Sequence, residues 1–268
     1  AREAAGVLAD LSTDLKNAAL MAMAEAIEAR QDFLLAENAK DVDDAGERGL
    51  SGSMTDRLTL TPQRVAAMAA GIRDIVGLPD PVRQVTQRWQ RPNGLEVGRM
   101  RIPLGVITII YEARPNVTAD AASLCIKSGN SVILKGGSEA KFSNKAVGDV
   151  LRDSCAQAGV PADVMQVVSS TDREMIHELL KLEEFVDLVI PRGGEELIRF
   201  VVSNSLVPVV KHYKGVCHVY VDSDADLEMA QRISLNAKLQ RPSVCNATVS
   251  YTHLRAHETR HALVCRLL

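Results

Sequence analysis

Aromatic side chains are scarce in this sequence, which has four phenylalanines, four tyrosines and one tryptophan among 268 residues. Acidic and basic residues nearly balance, at a formal net charge of -3, so neither a basic surface nor stacking rings indicate nucleic-acid binding. No apolar run approaches the roughly 18 residues of a transmembrane helix, and no charged-then-apolar leader is visible. We therefore expect neither a membrane span nor export, and because the chain opens on Ala1 we expect its natural start to lie upstream.

The cysteines form no recognisable pair. They are odd in number, widely spaced and without a C-x-x-C motif: Cys125, Cys155, Cys217, Cys245 and Cys265. This pattern argues against a disulfide framework or a zinc site and for reduced thiols in a cytoplasmic protein. His253, His257 and His261 are spaced at i, i+4 and i+8, but this pattern alone gives no reason to expect a metal site.

The first hundred residues predict helices followed by a hairpin. Helical spacing of apolar residues covers residues 8–47, where Ser12 is a candidate N-cap, and Thr61-Pro62 opens a second helix that runs to Val76. Prolines and Asn93-Gly94 then indicate a β-hairpin or an extended arm at about 82–102. Another subunit could pair with such an arm, although a plain surface hairpin fits the sequence equally well.

From Gly105 onward, short apolar segments alternate with helical ones. Strands are predicted at 105–110, 131–135, 164–168, 185–190 and 207–210. Strands that alternate with helices indicate βαβ units and a parallel, Rossmann-like sheet covered on both faces. A further helix at 224–239 and a strand at 247–251 follow. The fold class is therefore α/β, and ligands are expected beyond the carboxyl ends of the strands.

Polar residues and glycines follow several of these strands. Tyr111–Asn116 follows the first strand, Lys135-Gly136-Gly137-Ser138 the second and Pro191-Arg192-Gly193-Gly194 the fourth. The second and fourth segments can bind phosphate or ribose, because bare amides and helix N-termini favour anions; ordinary strand-to-helix turns explain them as well. No G-x-G-x-x-G occurs, so any dinucleotide is held by other means.

Cys245 lies in the segment Gln240–Asn246, between the predicted helix at 224–239 and the strand that follows. Pro242 fixes its own φ and removes a backbone donor, so the cysteine is expected on a loop. Loops held by rigid elements often carry reactive groups. From these residues alone Cys245 is either a nucleophile or a small buried hydrophobe.

Seven short motifs occur in one order: Pro103–Val106, Tyr111–Thr118, Ser128–Asn130, Leu134–Gly137, Ile190–Gly194, Val216–Val221 and Gln240–Asn246. Together they resemble the gamma-glutamyl phosphate reductases of the aldehyde dehydrogenase superfamily, over residues 1 to about 248. The resemblance implies NADPH-dependent reduction of L-glutamyl 5-phosphate to L-glutamate 5-semialdehyde, in proline synthesis. It also implies a homo-oligomer.

The resemblance assigns roles to individual residues. Cys245 is implied as the nucleophile that forms a thioester, and Asn116 as the amide that stabilises the carbonyl oxygen. Without the resemblance, Asn116 fits a helix N-cap equally well. Lys135, Gly136, Gly137, Ser138, Arg192, Gly193 and Gly194 are implied as cofactor ligands. Arg114, Lys211, His212 and Lys214 are charge-based candidates for the glutamate end of the substrate.

Two departures from the superfamily pattern refine these expectations. The glutamate base that activates water in hydrolytic members is missing from Lys211–Cys217, which favours acyl phosphate reduction over oxidation to a free acid. Ser138 stands where NAD-dependent members often carry a ribose-binding glutamate. Because a carboxylate would repel a 2'-phosphate, Ser138 and Lys135 favour NADP, although Glu139 follows directly.

We expect residues 1–210 to form an NADP-binding domain and residues 211–248 to begin a catalytic domain. The family continues well past this point, so the 268-residue chain is expected to be truncated and barely active. Its tail, residues 249–268, leaves the family pattern and is interpreted as an artefact of sequencing read-through. Two alternative interpretations remain: a non-catalytic dinucleotide-binding fragment, and a relative that acts on another acyl phosphate or thioester.

Overall fold

The computed structural model describes residues 1–170, 172, 174–213, 215–240, 242 and 246–253, except for the side chains of Ser53 and His253. Cys245 lies outside the described residues, as do Lys214, His257 and His261. The chain divides into two compact units, Ala1–Lys211 and His212–Leu268.

Five helices open the first unit: α1 (Arg2–Asp10), α2 (Thr13–Ala29), α3 (Gln31–Glu47), α4 (Gly52–Leu58) and α5 (Pro62–Gly77). The predicted helical stretch 8–47 is thus divided among three helices. Ser12 caps α2 by accepting a hydrogen bond from the Leu15 amide at 3.2 Å. Thr61 caps α5 in the same way, accepting from the Arg64 amide at 3.2 Å. Both predicted helix starts are confirmed.

The predicted hairpin consists of β1 (Val85–Gln90) and β2 (Glu96–Met100), which pair in antiparallel orientation. Gly94 turns the chain between them with φ +85°, a conformation that favours glycine. Nearly every residue of the two strands is exposed.

The central sheet contains four parallel strands: β3 (Val106–Tyr111), β4 (Ser131–Lys135), β5 (Met165–Val167) and β6 (Leu188–Arg192). Four helices connect or follow them: α6 (Asn116–Lys127), α7 (Lys141–Gln157), α8 (Glu174–Leu179) and α9 (Glu195–Asn204). The spatial order is β5-β4-β3-β6, which confirms the predicted α/β, Rossmann-like architecture. The chain runs outward from β3 through β4 to β5, then crosses to the other side of β3.

Both faces of the sheet are covered. All six residues of β3 are buried, and alternate residues point to opposite faces. Ile107, Ile109 and Tyr111 belong to the larger core, which includes buried residues of α2, α5, α6 and α7. Val106 and Ile110 belong to a smaller core on the other side. This packing fixes the carboxyl end of β3 rigidly, and the candidate site lies there.

Two predicted boundaries were wrong. Pro191 and Arg192 lie inside β6, where Pro191 pairs with Ile110, rather than in the turn that follows. A proline is tolerated on this outer strand, where its missing N–H is not needed by a neighbour. The strand predicted at 207–210 is reduced to a single bridge between Val189 and Val209. Pro208 cannot donate to a ladder and contributes only its carbonyl, to the Val189 amide at 2.9 Å.

The second unit contains β7 (Cys217–Val221), α10 (Leu227–Leu239) and β8 (Thr248–His253). The two strands pair in parallel, and Asp226 caps α10 by accepting from the Met229 amide at 3.0 Å. The helix and strand predicted here are confirmed, and the first residues of the tail lie in β8. Among the helices of the described residues, none is long and apolar enough to cross a membrane.

Candidate functional site

The candidate site lies at the carboxyl edge of the parallel sheet. The strand order reverses between β3 and β6, and in open α/β sheets ligands bind in the crevice at this point. Three strand-end segments meet there: the loop Glu112–Pro115 after β3, the turn Gly136–Ala140 after β4, and Gly193-Gly194 after β6. The fold therefore brings together the three predicted segments that carry polar residues and glycines.

Two glutamates tie the β3 loop to its neighbours. Glu139 accepts a hydrogen bond from the Ala113 amide at 2.7 Å, which joins the β4 turn to the β3 loop. Glu112 accepts from the Gly194 amide at 3.0 Å, which joins the β3 loop to the start of α9. Each contact is between a carboxylate and a backbone donor, a comparatively strong type of hydrogen bond. The loop that leads to Asn116 is therefore held from both sides.

Lys135 is the last residue of β4, and its side chain is buried although the position is at the sheet edge. Burial lowers the pKa of Lys135, and the neighbouring Glu139 carboxylate partly opposes this effect. The ammonium has three donors, one of which reaches the Gly136 carbonyl at 2.8 Å. Ser138, three residues on, is exposed. A buried lysine at the strand end, with an exposed serine three residues later, suits an anionic or hydroxyl-bearing ligand.

Two glycines of the edge lie close to neighbouring side chains. A Cβ on Gly136 would lie 2.0 Å from Nδ2 of Asn144 and 3.2 Å from Cε2 of Tyr111. A Cβ on Gly193 would lie 2.6 Å from Cδ of Glu112. At Gly136 the added atom would meet the buried Asn144 side chain, whereas at Gly193 it would meet the flexible end of the exposed Glu112 side chain, which would have to move. This close approach, rather than a special φ angle, accounts for glycine at Gly136.

Carboxylates already occupy the N-termini of two helices at this edge, α7 and α9. Asp41, from α3, accepts hydrogen bonds from the Phe142 and Ser143 amides of α7 at 3.1 and 2.7 Å. Glu112 takes the Gly194 amide at α9. The amides that the sequence offered for an anionic ligand are thus partly used by the chain itself. Lys135 and Ser138 are the groups of the β4 turn that remain suited to a cofactor phosphate or ribose.

Asn116 is the first residue of α6 and is half-buried. Its Nδ2 donates to Oδ2 of Asp120, one turn further along the helix, at 3.0 Å. The side chain makes no capping hydrogen bond, so the N-cap alternative for Asn116 is wrong. Pro115 stands at the N-cap position and leaves the Asn116 amide group to Asp120.

A buried hydrogen-bonded chain supports the start of α6. The Tyr111 hydroxyl lies 2.7 Å from the Thr118 hydroxyl, which donates to Oδ1 of Asn144 on α7 at 3.2 Å. Burial raises the pKa of Tyr111 to about 12, so its hydroxyl stays protonated at neutral pH. These contacts link β3, α6 and α7 directly behind the site.

The remaining candidates are less well defined by their surroundings. Arg192 is exposed at the end of β6, and Arg114 is half-buried in the β3 loop. Lys211 ends the first unit and His212 begins the second, and both are exposed. The structure assigns none of these four to a substrate group, so their roles stay predictions. The role of Cys245 does so too, because that residue lies outside the described part of the chain.

The other thiols contrast with the role expected of Cys245. Cys125 and Cys155 are buried, and burial raises the pKa of each to about 12. Cys217 is half-buried in β7. Protonated buried thiols are poor nucleophiles, so Cys125 and Cys155 are not candidates for that role.

Sequence reasoning missed most of the carboxylates that organise this edge. Glu112, Asp41 and Asp120 were not singled out, and Glu139 was considered only as a possible ribose ligand. Glu112 is 82 positions from its partner Gly194, Asp41 is 102 positions from Ser143, and Glu139 is 26 positions from Ala113. No local pattern in the sequence therefore reveals these contacts. Asp120 is different, because its i, i+4 spacing from Asn116 is visible in the sequence and predicts contact on a helix.

The statistical model of the aldehyde dehydrogenase family matches residues 1–248. The chain belongs to the aldehyde dehydrogenase family. Within the family, it is 59% identical over 247 residues to the gamma-glutamyl phosphate reductase of Geobacter metallireducens. The aligned region covers 92% of this chain and 59% of that relative. This aldehyde dehydrogenase chain therefore spans 59% of the length of a relative that it matches closely.

Two crystal structures show the same aldehyde dehydrogenase fold. The gamma-glutamyl phosphate reductase of Thermotoga maritima matches with a TM-score of 0.86 and 42% identity, over 95% of this chain and 61% of that one. The enzyme of the same name from Saccharomyces cerevisiae matches with a TM-score of 0.74 and 35% identity, over 94% of this chain and 63% of that one. The expected resemblance to these reductases is confirmed.

Proposed function

We propose that the protein expressed from the complete gene reduces L-glutamyl 5-phosphate to L-glutamate 5-semialdehyde and phosphate, with NADPH as reductant, in proline synthesis. The relatives named gamma-glutamyl phosphate reductase support this proposal. The observation that carries it is the carboxyl edge of the sheet, where the turn after Lys135 is joined to the loop that leads to Asn116 by the hydrogen bond from the Ala113 amide to Glu139. A cofactor-type turn and an amide donor on adjacent strand ends suit hydride chemistry at a carbonyl.

Cys245 is the proposed nucleophile. Its thiolate adds to the acyl carbonyl, the C–O bond to phosphate breaks, and a thioester forms. A nicotinamide cofactor, when bound, supplies the hydride that reduces the acyl group. The aldehyde then leaves as the carbon–sulfur bond breaks and the thiol is restored. Asn116 donates to the carbonyl oxygen while that oxygen carries negative charge, which lowers the barrier to each addition.

The cofactor preference follows from the charges of the β4 turn. Glu139 is the one carboxylate of that turn, and its Oε1 is held by the Ala113 amide at 2.7 Å. A carboxylate engaged with a backbone donor competes poorly for ribose hydroxyls. Lys135 and Ser138 would hold the 2'-phosphate, and we therefore propose NADP rather than NAD.

We further propose a cytoplasmic homo-oligomer. Cys125, Cys155 and Cys217 are free thiols, which suits a reducing compartment. The exposed hairpin of β1 and β2 is the surface proposed for self-association.

A second candidate is a dinucleotide-binding fragment without catalysis. It is favoured by one observation, that α10 of the second unit has no buried residue among those described. In the 268-residue chain the nucleophile's supporting domain would then be incomplete, and cofactor binding could persist without turnover.

Steady-state kinetics of the protein from the complete gene test the first candidate. The reverse reaction is convenient, because it starts from the aldehyde, phosphate and NADP and so avoids the labile acyl phosphate. We expect phosphate-dependent NADPH formation that Cys245→Ala abolishes and Cys217→Ala, the matched control, retains. Phosphate-independent oxidation, or undiminished activity in Cys245→Ala, would overturn the proposal.

A further inference from the structure

The Asn116 amide has a built partner that the proposed chemistry does not yet use. Nδ2 of Asn116 lies 3.0 Å from Oδ2 of Asp120, one helical turn away on α6. Both side chains are half-buried. On the far side, Asp120 faces Gly71 of α5, where an added Cβ would lie 3.8 Å from Oδ1. The carboxylate therefore lies where α6 packs against α5, within hydrogen-bonding distance of the Asn116 amide.

An ionised carboxylate only accepts hydrogen bonds, so it selects one orientation of the amide. Asp120 turns the NH₂ group of Asn116 toward itself and the carbonyl oxygen away. One N–H is used in this contact, and the second N–H then points in a fixed direction. Without such a partner, the two ends of a carboxamide are nearly equivalent in shape, and either could face a ligand.

The same contact strengthens the second N–H as a donor. A hydrogen bond to a charged acceptor polarises the donor group, and linked hydrogen bonds reinforce one another in a partly buried site. An oxyanion donor benefits from both effects, because its contribution depends on being oriented before the reaction begins.

We propose that Asp120 is a positioning residue that orients Asn116 as the oxyanion donor. This inference rests on the proposed function, since it assigns to Asn116 the carbonyl oxygen of the substrate. Asp120 touches neither substrate nor cofactor in this account, and it acts only through the Asn116 amide.

Burial supplies an independent signature of this role. Desolvation raises the pKa of Asp120, and the hydrogen bond from Asn116 only partly offsets it. Partial burial of a charged carboxylate opposes folding, so this carboxylate is not expected to be a major source of stability. Replacing Asp120 by asparagine removes the buried charge, so thermal stability should be unchanged or higher while the rate falls. A merely structural role would lower both together.

The test uses the protein from the complete gene, in the phosphate-dependent reverse assay. Asp120→Asn should lower kcat on the order of tenfold or more, with the KM for aldehyde changed by less than about twofold. Asn116→Ala should lower kcat by roughly 10²–10³-fold. The double variant should match Asn116→Ala alone, because Asp120 has nothing left to orient.

Asp153→Asn is the matched control. Asp153 is exposed on α7, twelve residues after the first residue of that helix and so about 18 Å along its axis. The same chemical change there should leave kcat and melting temperature as in the wild type. A kcat of Asp120→Asn equal to that of this control would overturn the inference and leave the proposed function intact.

A measurement without turnover separates the two proposals. In the 268-residue chain, the side-chain amide resonances of Asn116 are followed by ¹H–¹⁵N NMR. They should shift in Asp120→Asn and stay in place in Asp153→Asn, and unshifted resonances would overturn the inference. If these resonances shift while the wild-type protein from the complete gene shows no phosphate-dependent activity, the proposed function is the claim that fails.

Discussion

Single carboxylates set the geometry of the candidate site. Glu139 and Glu112 hold the β3 loop from its two sides, and Asp120 holds the Asn116 amide. All three contacts use an acceptor-only side chain to fix the direction of an N–H group. At the scale of residues, carboxylates therefore hold the β3 loop and the Asn116 amide in fixed positions at the carboxyl edge of the sheet.

Two variants can distinguish whether Glu139 holds the β3 loop through the Ala113 amide or binds the cofactor ribose. Glu139→Gln keeps an oxygen that can accept from the Ala113 amide, whereas Glu139→Ala removes it. We expect the affinity of Glu139→Gln for NADPH to lie within about threefold of the wild-type affinity. Glu139→Ala should bind both NADPH and NADH more weakly than the wild type, by about the same factor for each, since loss of one such contact costs about 1–3 kcal/mol. A change in the NADPH-to-NADH preference in Glu139→Gln would instead identify Glu139 as a ribose ligand.

Thiol reactivity gives a second prediction for single residues. Because burial raises the pKa of Cys125 and Cys155 to about 12, both are protonated at pH 7.5 and shielded from reagents. Iodoacetamide should therefore modify Cys245 first in the native chain, as read by mass spectrometry of timed peptide digests. Modification of Cys125 or Cys155 ahead of Cys245 would contradict the assignment of the nucleophile.

The helix α7 shows how a distant residue supports the β4 turn. Asp41 is 1% exposed and accepts from the Phe142 amide, the Ser143 amide and the Ser143 hydroxyl, the last at 2.6 Å. These bonds fix the first turn of α7, which directly follows Ser138 and Glu139. We expect Asp41→Ala to lower the free energy of unfolding by about 1–3 kcal/mol in urea titrations, because it leaves buried donors unpaired. Asp149 is exposed on α7, and Asp149→Ala should change the free energy of unfolding by less than about 0.5 kcal/mol.

The pH dependence of the same element has a defined sign. Burial raises the pKa of Asp41, although the hydrogen bonds from Ser143 and Phe142 oppose the shift. The folded chain then holds this proton more tightly than the unfolded chain does. The stabilising contribution is fully present below the unfolded pKa of about 4 and falls as pH rises through the folded pKa. The stability of the wild type relative to Asp41→Asn should decline across that window, and a rising difference would contradict the shift.

The elements of the sheet could be predicted from sequence, whereas their contacts could not. Short apolar runs bounded by glycine and proline located β3 and β4 closely, because strands buried on both faces are apolar throughout. The end of β6 was predicted too early because Pro191 was expected to begin a turn, whereas a proline can also lie within an edge strand. The hydrogen bonds that Glu112 and Glu139 accept depend on which strand ends become neighbours, and those that Asp41 accepts depend on the packing of α3 against α7. Both follow only from the tertiary structure.

At the scale of the molecule, helix α10 of the second unit exposes several apolar side chains. Leu227, Met229, Ile233, Leu235 and Leu239 of α10 are each about half exposed. The chain spans 59% of the length of its Geobacter metallireducens relative, and we propose that part of the remaining length covers this surface in the complete protein. We predict stronger binding of the dye ANS, and far slower turnover, by the 268-residue chain than by the protein from the complete gene. Equal turnover by the two would contradict this proposal.

The central claim is that the carboxyl edge of the parallel sheet binds a nicotinamide dinucleotide and prefers NADPH. Fluorescence titration of the 268-residue chain with NADPH and with NADH tests it most directly, with Lys135→Ala and Ser138→Glu as variants and Asp153→Asn as the control. We predict saturable binding that is tighter for NADPH, weakened by Lys135→Ala, and shifted toward NADH by Ser138→Glu, whose added carboxylate would repel the 2'-phosphate. Tighter binding of NADH by the wild type, or affinity that neither variant changes, would contradict the account.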